Sequence, residues 1–144
     1  MKAIKDFETF IQTGIVKIQV PDDSRAAFLK EESQKSYAFL QKKVTTFGIT
    51  KESANDIVKS CYDILMERIR SKMLEEGYNA SGQGAHEAEV SYLRTLGHKE
   101  KDVQFADQVR YFRNGMLYYG TSLDAEYAEK VLVFTEKLFK SLDT

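Results

Sequence analysis

The stretch RYFRNGMLYYG, residues 110–120, carries two arginines, an asparagine and three tyrosines inside an otherwise apolar helical pattern. A guanidinium is always charged and can grip a carboxylate or phosphate through two parallel N–H bonds. Placed at helical intervals of about 100°, Phe105, Val109, Phe112, Met116 and Tyr119 share one narrow sector, which is expected to face the core. Asp107, Arg110, Tyr111, Arg113, Asn114, Leu117 and Tyr118 spread over the opposite side. A solvated helix face is usually built of Lys and Glu. Arg, Asn, Tyr and Leu are instead the types found at buried interfaces and around phosphates. Gly115 in mid-helix costs about 1 kcal/mol relative to Ala, which close approach by another backbone would explain. The pattern points to a self-association face, a ligand face, or both.

Few other residues can do chemistry. His86 lies in line with Val90 and Leu93, so it is expected either to be partly buried with one hydrogen bond or to approach the groove from the fourth helix or a second subunit. His86 and Glu89 have the spacing of a metal pair on a helix. A di-iron bundle, however, needs two Glu-x-x-His motifs, and none occurs in that order. The SGQG segment before His86 could present backbone N–H groups to an anion, but it follows no strand and reads as a connection. His98 follows Gly97 at a helix end, where a cation favours the dipole. Cys61, the single cysteine, sits among apolar positions and excludes an intrachain disulfide. No metal and no cofactor is expected. The net charge of −1 provides no bulk attraction to nucleic acid or membrane, so nucleic-acid contact requires a local basic patch. With no transmembrane-length run and no secretory segment, a cytoplasmic protein without membrane contact is expected.

The elements that must position these residues are punctuated by glycine. Gly14, Gly48, Gly77, Gly97 and Gly120 fall near the ends of periodic apolar segments, where a left-handed cap is wanted. Ile4, Phe7 and Ile11 form a first stripe; residues 15–20, IVKIQV among them, fit either a continued helix or an extended segment. A second helix should start at Asp22, Asp23 or Ser24, with Leu29, Ser33, Ser36, Leu40, Val44 and Phe47 inward. Thr50 caps a third, with Val58, Cys61, Leu65, Ile69 and Met73 inward, and the two form an antiparallel hairpin around Gly48. The segment GYNASGQG reads as a loop before a shorter fourth helix with Val90, Leu93 and Leu96. The fifth runs from about Lys99 to Tyr119. Ser122 or Asp124 caps a sixth, with Ala128, Val131, Thr135, Leu138 and Leu142 inward. No pair of alternating strands is visible. At 144 residues the chain is expected to be one domain, 1–144: all-α, an up-and-down bundle of five to six helices.

At Arg113-Asn114-Gly115-Met116-Leu117-Tyr118 the sequence resembles the HEPN superfamily of helical bundles. Their signature is an Arg, a polar residue next to it, and a His five residues after the Arg, on a late helix. The setting is similar too: a long hairpin, the segment GYNASGQGAHEAEVSYLRTLG, the motif helix and a closing helix, together most of the chain. The resemblance implies a symmetric homodimer with motif helices facing each other across a basic groove. It also implies RNA or nucleotide phosphate as ligand, and a role in toxin–antitoxin or defence systems, often beside a minimal nucleotidyltransferase partner. Arg110, Arg113, Asn114 and His86 become the candidate ligand-binding residues, and Arg113, Asn114 and Tyr118 the candidate catalytic ones. In metal-independent RNA cleavage Arg113 and Arg110 would stabilise charge on phosphorus while a base takes the 2′-hydroxyl proton. Tyr118 stands where the family has its His. An unperturbed phenol, pKa about 10, is ionised in about one molecule in a thousand at neutral pH. The expectation is therefore a binding domain. The alternatives are an active endoribonuclease using Arg113, Asn114 and Tyr118, or a purely structural dimerisation bundle.

Overall fold

The structure, a computed structural model, describes residues 3–118 and 123–143, without the side chains of Leu117 and Tyr118. The elements run α1 (Phe7–Gln12), β1 (Val16–Ile18), α2 (Asp23–Phe47), α3 (Ala54–Glu75), β2 (Tyr78–Ala80), α4 (Ala85–Thr95), α5 (Glu100–Tyr118) and α6 (Ala125–Leu142). The architecture is a helical bundle, as the glycine punctuation predicts.

α3 is its axis. It packs against α2, α4, α5 and α6, and its buried residues, from Ile57 to Leu74, occupy nearly every side of the helix. A helix with so broad a buried face needs several neighbours to cover it, and α3 keeps only one polar edge, which includes Asp63 and Glu67. All five residues predicted to face inward on α3 are buried, as are all five on α6. α6 begins where Asp124 accepts the amide of Tyr127 at 2.8 Å, one of the two caps expected. α3 starts slightly later than predicted. Thr50 and Ser53 exchange hydrogen bonds in a tight turn, and Ser53 rather than Thr50 is the residue before the helix.

α2 departs further from expectation. Asp22 caps it by accepting from the Arg25 amide at 3.1 Å, but only Ala26, Ser33 and Leu40 are buried along its 25 residues. Phe47, predicted inward, is 72% exposed, and Phe28 and Phe39 are exposed as well. The reason lies in how closely α2 approaches α3. Small side chains line the contact, and Ser71 of α3 donates across it to the Ala26 carbonyl at 2.7 Å. Two backbones that close leave room for a narrow seam only.

The expected absence of strand pairing is corrected by a two-stranded antiparallel sheet, in which Val16 pairs with Ala80, Lys17 with Asn79 and Ile18 with Tyr78. Residues 16–18 are thus extended, and the start of the GYNASGQG segment is a strand rather than a loop. Strands of three residues are too short to show alternation in sequence. Gly77 fixes the crossing: its φ is +85°, and a Cβ there would lie 2.4 Å from the Gln19 carbonyl oxygen, so only glycine fits. The ribbon closes one end of the bundle, where Phe7, Tyr78 and Tyr92 meet edge-on and tilted.

The largest correction concerns the facing of α5. Val103, Ala106, Asp107 and Val109 are buried, whereas Phe105, Phe112 and Met116 of the expected core stripe are only partly covered. The buried sector is rotated toward the arginine side. Arg110 and Arg113 consequently point into the bundle, toward α3 and α4, and the aromatic stripe lies along α6, where Phe105 meets Phe134 and Phe112 meets Tyr127. Gly115 is buried. Tyr119 lies outside the described residues.

Candidate functional site

A cleft of 330 Å³ opens where α3, α4 and α5 meet. α3 supplies Tyr62, Asp63, Met66, Glu67 and Arg70; α4 supplies His86; α5 supplies Arg113. The α3 residues recur at helical spacing beside its core stripe, so one edge of the central helix becomes the floor of a polar cleft.

Glu89 organises the α4 side. It is 2% exposed, yet its carboxylate accepts from Arg70 Nε at 2.7 Å, from an Arg70 terminal nitrogen at 3.2 Å, and lies 2.9 Å from His86 Nδ1. Burial alone would push its pKa up. The hydrogen bonds from His86 and Arg70 outweigh that and hold it below the ordinary carboxylate range. An ionised carboxylate can only accept, so the Nδ1 facing it carries the proton, and the neutral ring has Nε2 as its free lone pair. The His86 side chain is 57% exposed, so the second nitrogen is reachable.

Arg113 forms the opposite wall. Its guanidinium carbon sits 5.4 Å from the centroid of the Tyr62 ring, a cation–π distance. Among the described residues it pairs with Asp63 at 3.3 Å, a carboxylate 57% exposed, and its Nε is buried with no partner. Tyr62 links the two walls, its ring edge-on to His86 at 6.4 Å. The Tyr62 hydroxyl is buried and also without a partner among the described residues. Burial, then the nearby Glu89 charge, pushes its pKa above the usual range, so it remains a neutral O–H donor.

The cleft thus brings together two of the residues singled out in the sequence, His86 and Arg113. Arg110 is elsewhere: its Nε donates to the buried Asp107 at 2.7 Å, with Glu87 at 3.9 Å on its far side, so its charge is already spent within the bundle. Asn114 is half-buried on α5 and outside the cleft lining. The side chain of Tyr118 lies outside the described residues. His98 is partly buried, and burial, opposed by Asp102, pushes its pKa down, which favours the neutral ring over a cation at the helix end. Cys61 is buried in the core, and burial raises its thiol to about 11. The His86–Glu89 spacing does bring the two side chains together, but the carboxylate is taken up by Arg70. No cluster of three metal-ligating side chains occurs among the described residues.

No family model matches this chain, and neither does any curated protein or solved structure. No helix among the described residues is long and apolar enough to cross a membrane.

Tyr62, Glu67 and Arg70 are missed by sequence reasoning, and Glu89 is noticed there only as a metal-pair partner of His86. Their signal is faint: polar residues four apart on α3 and a Glu three residues after a His. Either pattern is ordinary on a solvated helix. Besides a 400 Å³ groove lined by Phe7, Ile11, Tyr78 and Arg94, whose guanidinium is paired with Glu100 at 2.6 Å, two other grooves are larger than the cleft. The one between α5 and α6, 510 Å³, is walled by Phe105, Val133 and Phe134, and Lys137 at its rim is paired with Asp102 at 3.3 Å. The other, between α2 and α3, is 380 Å³ and shares Asp63 and Glu67 with the cleft.

Proposed function

We propose that this chain is an RNA-binding domain of HEPN type, which takes a backbone phosphate in the α3–α4–α5 cleft. The observation that carries the reading is Arg113. Its guanidinium lies 5.4 Å from the Tyr62 ring centroid, and its carboxylate partner among the described residues, Asp63, is solvent-exposed and displaceable. An incoming phosphate replaces Asp63 and gains charge-assisted bonds from a donor already held in place. Arg70 and Arg110 contribute less, because each is bonded to a buried carboxylate. The cleft also contains Asp63 and Glu67, so binding rests on a single well-placed cation rather than on a broad basic surface.

The remainder of the proposal follows the resemblance in the sequence: a homodimer associating through α5, a minimal nucleotidyltransferase as partner, and a cytoplasmic toxin–antitoxin or defence setting. Tyr111, 58% exposed on α5, supplies an uncovered aromatic for self-association. Sedimentation equilibrium should give a dimer at micromolar concentration, and a monomer at that concentration removes the dimer from the reading.

The central test is fluorescence anisotropy with a short single-stranded oligoribonucleotide. Arg113→Ala should weaken binding at least tenfold and flatten the log–log salt dependence by about 0.7 for one lost phosphate contact. Competition by a mononucleotide at equal phosphate concentration distinguishes a nucleotide site from a site for the RNA chain. Unchanged affinity in Arg113→Ala rejects the cleft as the phosphate site.

A further inference from the structure

We infer that α2 carries a self-association face on which a second copy of this chain lies antiparallel, with Phe28 of each copy against Phe39 of the other and Glu32 against Lys35. The inference stands apart from the RNA-binding reading and from the α5 face, and adds a second kind of contact between copies. Among the described residues α2 holds three exposed large apolar side chains: Phe28 and Phe39, each 60% exposed, and Phe47. At about 100° per residue, Phe28 and Phe39 fall within about 20° of one another. The buried seam of Ala26, Ser33 and Leu40 lies about 100–160° away, so both rings stand on the side of the helix turned from α3. Glu32 and Lys35 occupy the same line between them, and the steps from 28 to 32, 35 and 39 are four, three and four residues. That is the spacing of a seam that packs against one further helix. Phe47 falls about 90° off the line and is not part of it.

Charge decides the occupant and its direction. From Asp22 to Glu32 there are four acids, Asp22, Asp23, Glu31 and Glu32, against Arg25 and Lys30; from Ser33 to Phe47 there are three lysines and no acid. An antiparallel second copy sets the acidic half of each helix on the basic half of the other. The positions are also self-complementary. A two-fold axis passing between Ser33 and Gln34 brings residue 28 opposite residue 39 and residue 32 opposite residue 35, on both sides of the axis at once. Both rings are thereby covered and both central charges are paired. In a parallel pair Phe28 and Phe39 would each meet themselves, but so would Glu32 and Lys35. Within one chain Lys35 lies 3.5 Å from Glu31 and 3.8 Å from Glu32, all on the surface, so these ion pairs can re-form across the axis. At either end exposed Arg25 meets exposed Lys42 of the second copy, a like-charged pair in open solvent that keeps the association weak. Where α5 pairs as well, α2 joins one pair of chains to the next.

The test is sedimentation velocity on the full chain from about 10 µM to about 500 µM, a range that covers weak interfaces. At the upper end Phe28→Ser and Phe39→Ser should each halve the mass of the largest species relative to wild type. Charge provides the sharper arm. Glu32→Lys alone and Lys35→Glu alone should each lose the association, because like charges then meet at the axis. Mixing these two variants in equal amounts should restore it as a mixed pair, since each chain then meets opposite charge at both positions. Damage to the fold of either variant would not be repaired by adding the other. The register is read by cross-linking. A mixture of Phe28→Cys and Phe39→Cys should form a disulfide-linked dimer under mild oxidation. Phe28→Cys by itself should not, because the two copies of residue 28 would lie about 16 Å apart. Cys61 is buried and takes no part. Equal mass for wild type and Phe39→Ser at every concentration overturns the inference, and so does a failure of the mixed charge variants to associate. The α5 pairing is read separately, from what Phe39→Ser leaves: a dimer there belongs to α5, and a monomer removes the α5 pairing while leaving the α2 face standing.

Discussion

Two arginines on α3 stand two residues apart and have opposite fates. Arg68 turns toward α6. It is fully buried, donates to the Leu142 carbonyl and, at 3.3 Å, to Asp143, and lies 5.9 Å from the Phe139 ring. Burial lowers its pKa somewhat, opposed by the Asp143 charge, and the cation meets the negative end of the α6 dipole. Arg70 turns the other way and bonds Glu89, whose free edge continues through His86 to an open cleft. Both have partners, although Arg70 is only partly buried. They differ in where the chain of bonds ends: the first in a helix terminus that no ligand reaches, the second in a solvent-accessible imidazole. Burial of a charge by itself therefore does not mark a site; a bonded charge leading to an exposed titratable group is the better candidate.

The comparison can be broken at three points. The largest effect is expected at Arg68. Arg68→Ala leaves a cavity and strips a buried helix-end carbonyl of its donor, which should cost about 2–4 kcal/mol in urea denaturation. RNA affinity at a temperature where the variant is folded should be unchanged. A large loss of affinity would make Arg68 part of the site after all.

Glu89→Gln is expected to cost somewhat less, about 1–3 kcal/mol at pH 7, because it leaves Arg70 short of its charge partner. The pH dependence sharpens the distinction. The folded-state pKa of Glu89 lies below its unfolded value of 4.5. Its contribution to stability is therefore complete above that value and is lost as pH falls through the folded-state pKa. The gap between wild type and Glu89→Gln, followed by denaturation at a series of pH values, should close in acid. A gap that stays constant would mean that Glu89 is not ionised in the folded protein.

The smallest effect is expected at Phe47, whose exposure contradicts its place in the apolar stripe of α2. Phe47→Ser should change stability by less than about 0.5 kcal/mol. A cost of several kcal/mol would mean that the residue is covered in solution, by a second chain among other candidates.

What could be read from the sequence differed between elements for physical reasons. The inward residues of α3 and α6 were legible because each helix buries a broad face against several neighbours, so period and burial coincide. α2 was misread because its contact with α3 is narrow, and a stripe of Leu, Val and Phe wider than the seam leaves its margins in water. α5 was misread in rotation: its aromatics form the more conspicuous stripe, yet they pack along α6 at the edge while Val103, Ala106 and Val109 face the centre. Arg113 and His86 were visible as residue types able to do chemistry. Their meeting was not, because 27 residues and a helix turn separate them.

The sequence by itself determined the helical class, the positions of the turns and most of the core, since these depend on local spacing, caps and the conformational freedom of glycine. The short ribbon, the rotation of α5 and the cleft were decided only by tertiary structure. Each depends on which faces of separate elements meet, and local periodicity states that a face is apolar without stating what it will touch. The bond from Glu89 to Arg70 is the clearest instance. Its residues lie on α4 and α3, and only their packing buries a surface-type Glu against a partly covered Arg, in a pair that holds His86 at the mouth of a cleft.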